Sequence, residues 1–195
     1  MNAVRPIARL YVAALFSAAF AIAVIALLAA QPIGAALPLA LLLWLCMTLA
    51  WLFPIHLARQ TNLYVDTSVT VAAVLLLPPG PAMLAIGGGP LAAAAIRRQP
   101  LAEIEAPFNA AQAMLVAFVG SLILAVAGWN PGEPAGSQPW RLLALPAAAA
   151  AMQFLSVFLV AAGVALQAAA PIAATFRGAL VDDFRGEALA QASLV

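Results

Sequence analysis

The sequence predicts an all-α protein, a polytopic transmembrane helical bundle with about six crossings, two of which form a short helical hairpin broken by proline and glycine. Three observations predict it. Of the 195 residues, 66% are hydrophobic and only 8% are charged, with a mean hydropathy of +1.07. A soluble domain carries about a quarter charged residues. These charges are too few to coat a water-facing surface, so apolar side chains must face lipid or each other. Second, the apolar residues fall into runs separated by short Pro/Gly-rich or charged joints. Third, Ala and Leu dominate, which suits helices better than the alternating pattern of an outer-membrane barrel.

Residues 1–9 carry Arg5 and Arg9, and residues 10–30 follow without a charge. That run exceeds the ~7–15 residue core of a signal peptide, so a first transmembrane helix is expected. Gln31, Pro32, Gly34 and Pro38 make an uncharged turn, and residues 39–57 form the second span, with Trp44 and Trp51 inside it and His56 and Arg59 at its end. Pro54 falls in the last turn, where a kink costs least.

Residues 63–98 are the unusual stretch. Pro78, Pro79, Gly80 and Pro81 divide it, and Gly87–Gly89 interrupt its second half. Each proline removes a backbone donor and clashes with the preceding turn, which argues against one continuous helix. The return of Arg97 and Arg98 to the side of Arg59 favours two passes or a paired re-entrant element. Two arms are expected, 63–77 and 82–96. An arm of 15 residues reaches only about 22 Å at 1.5 Å per residue, short of a hydrocarbon core of about 30 Å. Loose backbone at that depth survives only where protein or water covers it, so the hairpin should pack inside the bundle or locally thin the bilayer. Residues 97–106 form a charged loop, with Arg97 and Arg98 facing Glu103 and Glu105. Pro107 opens the span at 108–127, a favourable first-turn position. The loop from Gly128 to Pro139 carries no basic residue and is bracketed by Trp129 and Trp140. Residues 142–166 return. Residues 171–195 space Ile172, Phe176, Leu180 and Phe184 four apart among Arg177, Asp182, Asp183, Arg185 and Glu187. That stretch reads as a cytoplasmic amphipathic helix on the inner membrane surface, or as a connector.

Charge fixes the expected topology. With six crossings, Arg5, Arg9, Arg59, Arg97, Arg98, Arg177 and Arg185 fall on one side, leaving Arg141 alone on the other. The positive-inside rule makes that side cytoplasmic. The expected location is the bacterial inner membrane, with both termini cytoplasmic. A net charge of +1 gives no footprint for nucleic acid. Cys46 stands alone, which rules out an intramolecular disulfide and a cysteine-based zinc site.

Polar groups inside membrane spans are the usual markers of a site. Asp66, Thr67, Ser68 and Thr70 cluster at the start of the hairpin, and Asn109 and Gln112 sit three apart on one helix face. The ligand-binding candidates are Asp66, Ser68, Thr70, Asn109 and Gln112. The competing readings are structural: Asp66 as a helix cap or a partner for Arg59, and the two amides as links between helices. Ser121 and Gln153 look isolated. For catalysis there is little: one histidine, His56, no serine beside a plausible base, and no metal motif. No enzyme, cofactor or metal is expected. The three glycines lack a following lysine, so they form no phosphate loop. They read as a helix break or a close packing surface.

Taken together, Ser68 and Thr70, the break from Leu77 to Pro81, and Phe108, Asn109 and Gln112 form a recognisable pattern. It resembles the N-terminal multi-span membrane sensor region of bacterial signalling proteins that end in HD-GYP, GGDEF or histidine-kinase domains. The likeness covers roughly residues 60–170. No motif of those catalytic domains occurs in the chain. The resemblance therefore implies a sensory or anchoring module of a signal-transduction protein, perceiving a small or lipophilic signal or the membrane state. Its expected partners are the lipid bilayer, a cytoplasmic signalling domain in cis or in trans, and a second copy in a homodimer. Two alternatives stand beside it: a small transporter or the substrate-binding membrane component of an importer, and a purely structural anchor.

Overall fold

A computed structural model describes residues 5–29, 34, 36–53, 55–58, 61–63, 66–99, 104–131 and 142–181, with backbone alone for 55–58 and 61–63. Among these residues the chain forms seven α-helices and one two-stranded ribbon. The helices are α1 (Pro6–Ala29), α2 (Leu37–Leu52), α3 (Asp66–Leu76), α4 (Pro79–Ile96), α5 (Glu105–Val126), α6 (Ala144–Ala168) and α7 (Ile172–Val181). The ribbon pairs β1 (Ile55–Ala58) with β2 (Thr61–Leu63) in antiparallel fashion, with an irregularity between His56 and Ala58. Four helices, α1, α4, α5 and α6, are long and apolar enough to cross a membrane. Helices α2 and α3 are shorter, at 16 and 11 residues.

Proline explains where the elements depart from expectation. The second span was expected to reach residue 57. Instead α2 stops at Leu52, and Phe53 leaves the helical region at φ −125°, ψ 68°. A residue before proline is driven out of the helical conformation, and Pro54 follows. The chain then runs into the ribbon, which takes Leu63 out of the hairpin's first arm. That arm is α3, shorter than expected. The break itself lies where the prolines predict it, at Leu77 and Pro78. Pro79 and Pro81 are not lost to the turn. They fill the first turn of α4, where a missing N–H costs nothing.

The glycines do not break α4. The helix runs unbroken through Gly87–Gly89 and past Pro90. They are a packing surface. A side chain at Gly88 would lie 2.8 Å from the Trp44 indole, and side chains at Gly87 and Gly89 would meet Met114 and Met47. Eleven of the eighteen residues of α4 are buried, which makes it the central helix. Helices α2, α1 and α5 lie against it. One core cluster joins Leu43 and Met47 of α2 to Leu77 and Ile86; another joins Ala19 and Ala23 of α1 to Met83 of α4 and Met114 of α5. Helix α6 completes the bundle, with Ala148 and Met152 packed with Val74 of α3 and Ala117 of α5.

Most of the buried hydrophobic residues are alanine, while Leu10, Leu28, Leu41, Leu42, Phe154 and Val164 point outward. Small residues inside let backbones approach closely, and large apolar ones outside suit lipid. Contacts at the helix ends define two ends of the bundle. At one, the Arg5 N–H donates to Gln167 Oε1 (3.1 Å), and Arg97 Nη2 donates to the Leu52 carbonyl at the end of α2 (2.8 Å). At the other, Gly80 lies against the backbone of Ala26 and Leu27, and Trp129 Nε1 donates to the Leu75 carbonyl (3.3 Å). Arg97 and Trp129 thereby satisfy carbonyls that every helix C-terminus leaves unpaired. The turn of the hairpin sits at the same end as the last turn of α1 and the end of α5.

After α6, Ala169 adopts the left-handed conformation (φ 55°, ψ 36°) and reverses the chain. Helix α7 folds back, and its Phe176 ring meets Phe154 and Phe158 edge-on at 5.2 and 5.7 Å. The helix expected on the membrane surface or as a connector is, in its described part, clasped to α6. Asp182, Asp183, Phe184, Arg185 and Glu187 lie outside the described residues.

Ser121 is buried, and its hydroxyl has no hydrogen-bond partner among the described residues. An unsatisfied buried hydroxyl costs about 1–3 kcal/mol. Ser121→Ala is therefore expected to raise the unfolding midpoint in detergent.

Candidate functional site

A cavity of about 150 Å³ opens between α2, α3, α5 and α6. Its polar lining is concentrated: Asp66 and Thr67 from α3, Asn109 and Gln112 from α5, Gln153 and Ser156 from α6, with Trp51 of α2 at one wall. Met47, Val71, Val116 and Met152 supply the apolar remainder.

Local structure explains each placement. Asp66 opens α3, where a carboxylate opposes the positive end of the helix dipole. Thr67 and Thr70 lie on the same face, and Thr70 also lines the cavity, but its hydroxyl donates to the Asp66 carbonyl at 2.8 Å. This bond to the preceding turn is a common use of threonine inside a helix. Thr70 therefore acts chiefly through its own helix. Ser68 points elsewhere: it is exposed and does not line the cavity. The turn angle of a helix places residues two apart on different faces, which separates Ser68 from Asp66 and Thr70.

Asn109 and Gln112 converge as their spacing predicts. Gln112 Nε2 donates to Ser156 Oγ at 2.8 Å, and a longer contact of 3.4 Å reaches the Ser156 carbonyl. The amide thus ties α5 to α6 while it borders the cavity. Asn109 forms no hydrogen bond with a described residue, and it borders both this cavity and the smaller cleft beside Arg97. Its amide is the most available donor and acceptor in the site. The pairing of Asp66 with Arg59 weighed from the sequence falls on a residue outside the described ones.

Three contributors were not legible beforehand. Gln153 looked isolated on α6, yet it faces the cavity. Ser156 and Trp51 gave no signal at all. One serine in an alanine-rich span and one tryptophan near a helix end become informative only when the helices are assembled. Among the described residues no group of three His, Cys, Asp or Glu side chains could hold a metal ion.

Chemically, the cavity offers one carboxylate and several amides and hydroxyls, in a volume near that of a single small aromatic ring or a few waters. It can bind a small solute rich in hydrogen bonds and would favour one that donates to Asp66. No family model, curated protein or solved structure matches this chain.

Proposed function

We propose that the chain is a multi-pass sensory module of a bacterial inner membrane, with both termini cytoplasmic, that perceives a small polar ligand in the cavity between α2, α3, α5 and α6. One observation carries this reading: polar side chains from four helices meet at one point in an otherwise apolar bundle. Polar groups at membrane depth are costly and tend to be kept for function. The topology is supported by Arg5, Arg97 and Arg98, which gather at one end of the bundle as the positive-inside rule expects. Six crossings follow if the short α2 and α3 also traverse, with the bilayer thinned or the hairpin shielded by its neighbours.

The mechanism is a population shift. Helix α3 is short, with 11 residues, and Leu77 and Pro78 part it from α4. A ligand that binds better to one arrangement of α3 against α5 and α6 favours that arrangement by its differential affinity. Because Gln112 joins α5 to Ser156, the shift reaches α6, and α7 rides on α6 through Phe176. A signalling domain joined beyond α7, or a partner bearing one, would read the change.

The test is a chimera that carries a reporter signalling domain after residue 195. Asn109→Leu with Gln112→Leu removes two amide contacts, each worth about 1 kcal/mol. The response to the signal is expected to fall by at least tenfold while membrane insertion stays normal. An unchanged response would remove the site assignment. Transport is the second reading, favoured by the short, proline-broken α3–α4 pair beside mid-bundle polar groups. It predicts substrate uptake into vesicles together with a partner ATPase, and no response from the chimera.

A further inference from the structure

A second opening among the described residues is larger than the polar one. It is a groove of about 620 Å³ between α1, α5 and α6, at the end of the bundle where the arginines gather. Its mouth carries opposite charges: Arg5 from the start of α1 and Glu105 from the start of α5. These two form no ion pair with each other, and Glu105 forms none with Arg97, which lines the adjoining cleft. The floor is apolar. Tyr11 and Phe108 lie against each other with ring centroids 6.4 Å apart, and the Tyr11 hydroxyl is occupied by the Leu159 carbonyl at 3.1 Å. Gly163 faces both rings; a methyl group added there would still stand 3.7 Å from either. Gly163 brings no side chain to the groove, which a long one placed there would fill.

From this geometry we infer that the groove holds a phospholipid of the surrounding bilayer with an ethanolamine head. Three features select it. The groove joins a charged mouth to an apolar floor, as an amphiphile does. Arg5 presents guanidinium donors suited to a phosphate. Glu105 accepts N–H bonds from a primary ammonium, and because it makes no ion pair with Arg5 both charges are available to a head that is itself dipolar. A choline head has the same charges but no N–H to donate. A glycerol head has donors but no cation for Glu105. The bound lipid fills the space between α1 and α6, a pair joined by the Tyr11 hydroxyl and the Gln167 contact. This site is separate from the polar cavity and does not depend on its role.

The test is native mass spectrometry of the purified full chain with equimolar ethanolamine, choline and glycerol phospholipids of identical acyl chains. A charge-assisted hydrogen bond sets the expected margin, about tenfold higher retention of the ethanolamine lipid than of the choline lipid. Glu105→Gln should abolish that margin, and Arg5→Gln should lower retention of all three lipids. Gly163→Leu, which fills the groove, should do the same, while Gly163→Ala should not. Equal retention of the three lipids, a preference for the glycerol lipid, or a preference that survives Glu105→Gln overturns the proposal. Glu105 is exposed at the first turn of α5, so that variant does not threaten the fold.

Discussion

Gly80→Ala is expected to destabilise the bundle by about 2–3 kcal/mol, at the upper end of what overpacking costs. The added methyl would strike the backbone of Ala26 and Leu27 in α1. Backbone in the middle of a helix turn cannot rotate away, so α1 and α4 must separate. Gly87 and Gly89 make the comparison. A methyl group at Gly87 meets mainly the Met114 side chain, and methionine re-packs at little cost, whereas one at Gly89 meets Met47 at Cγ, Cβ and the backbone. Gly87→Ala should cost well under half as much, and Gly89→Ala should fall between the two. Thermal unfolding of the three variants in one detergent measures the order. If Gly80→Ala is no worse than the other two, the close crossing of α1 over the start of α4 is wrong.

Ile86→Ala is expected to cost about 2 kcal/mol, the low end of the range for emptying a buried site. Ile86 is fully buried at the junction of α2, α3 and α4. In water, part of that cost would be lost burial from solvent. In a membrane the unfolded helices already lie in lipid, so what remains is the packing lost around the void. Leu42→Ala is the control. Leu42 is 55% exposed on the outward face of α2, where lipid replaces the missing atoms, and its effect should stay within about 0.5 kcal/mol. Equal effects of the two substitutions would mean that α4 is not the packed centre of the bundle.

Much of this architecture was legible in the sequence because membrane helices announce themselves by length and composition. The helices at residues 10–30, 108–127 and 142–166 appear close to those bounds, as α1, α5 and α6. Failures occurred where one residue type has two uses. Pro54 read as a tolerable kink and instead ended α2, because the residue before it had to leave the helical region. Gly87–Gly89 could equally break a helix or admit a neighbour, and only the nearness of Trp44, Met47 and Met114 decides for the neighbour. The site shows the same division. Asn109 and Gln112 were placed together by their spacing on one helix. Gln153 and Ser156 joined them from a helix some forty residues away, which no local pattern encodes.

The sequence by itself determined that this chain forms apolar helices broken at Pro78, because composition and proline chemistry act locally and need no partner. It also fixed which polar residues share a helix face. Only the tertiary structure decided that α4 is the centre, that Ser68 faces away while Ser156 faces in, and that two unlike cavities open at different places in one small bundle. Those outcomes depend on which helices adjoin, and adjacency is set by small residues on opposed faces whose match is a property of the pair rather than of either segment alone.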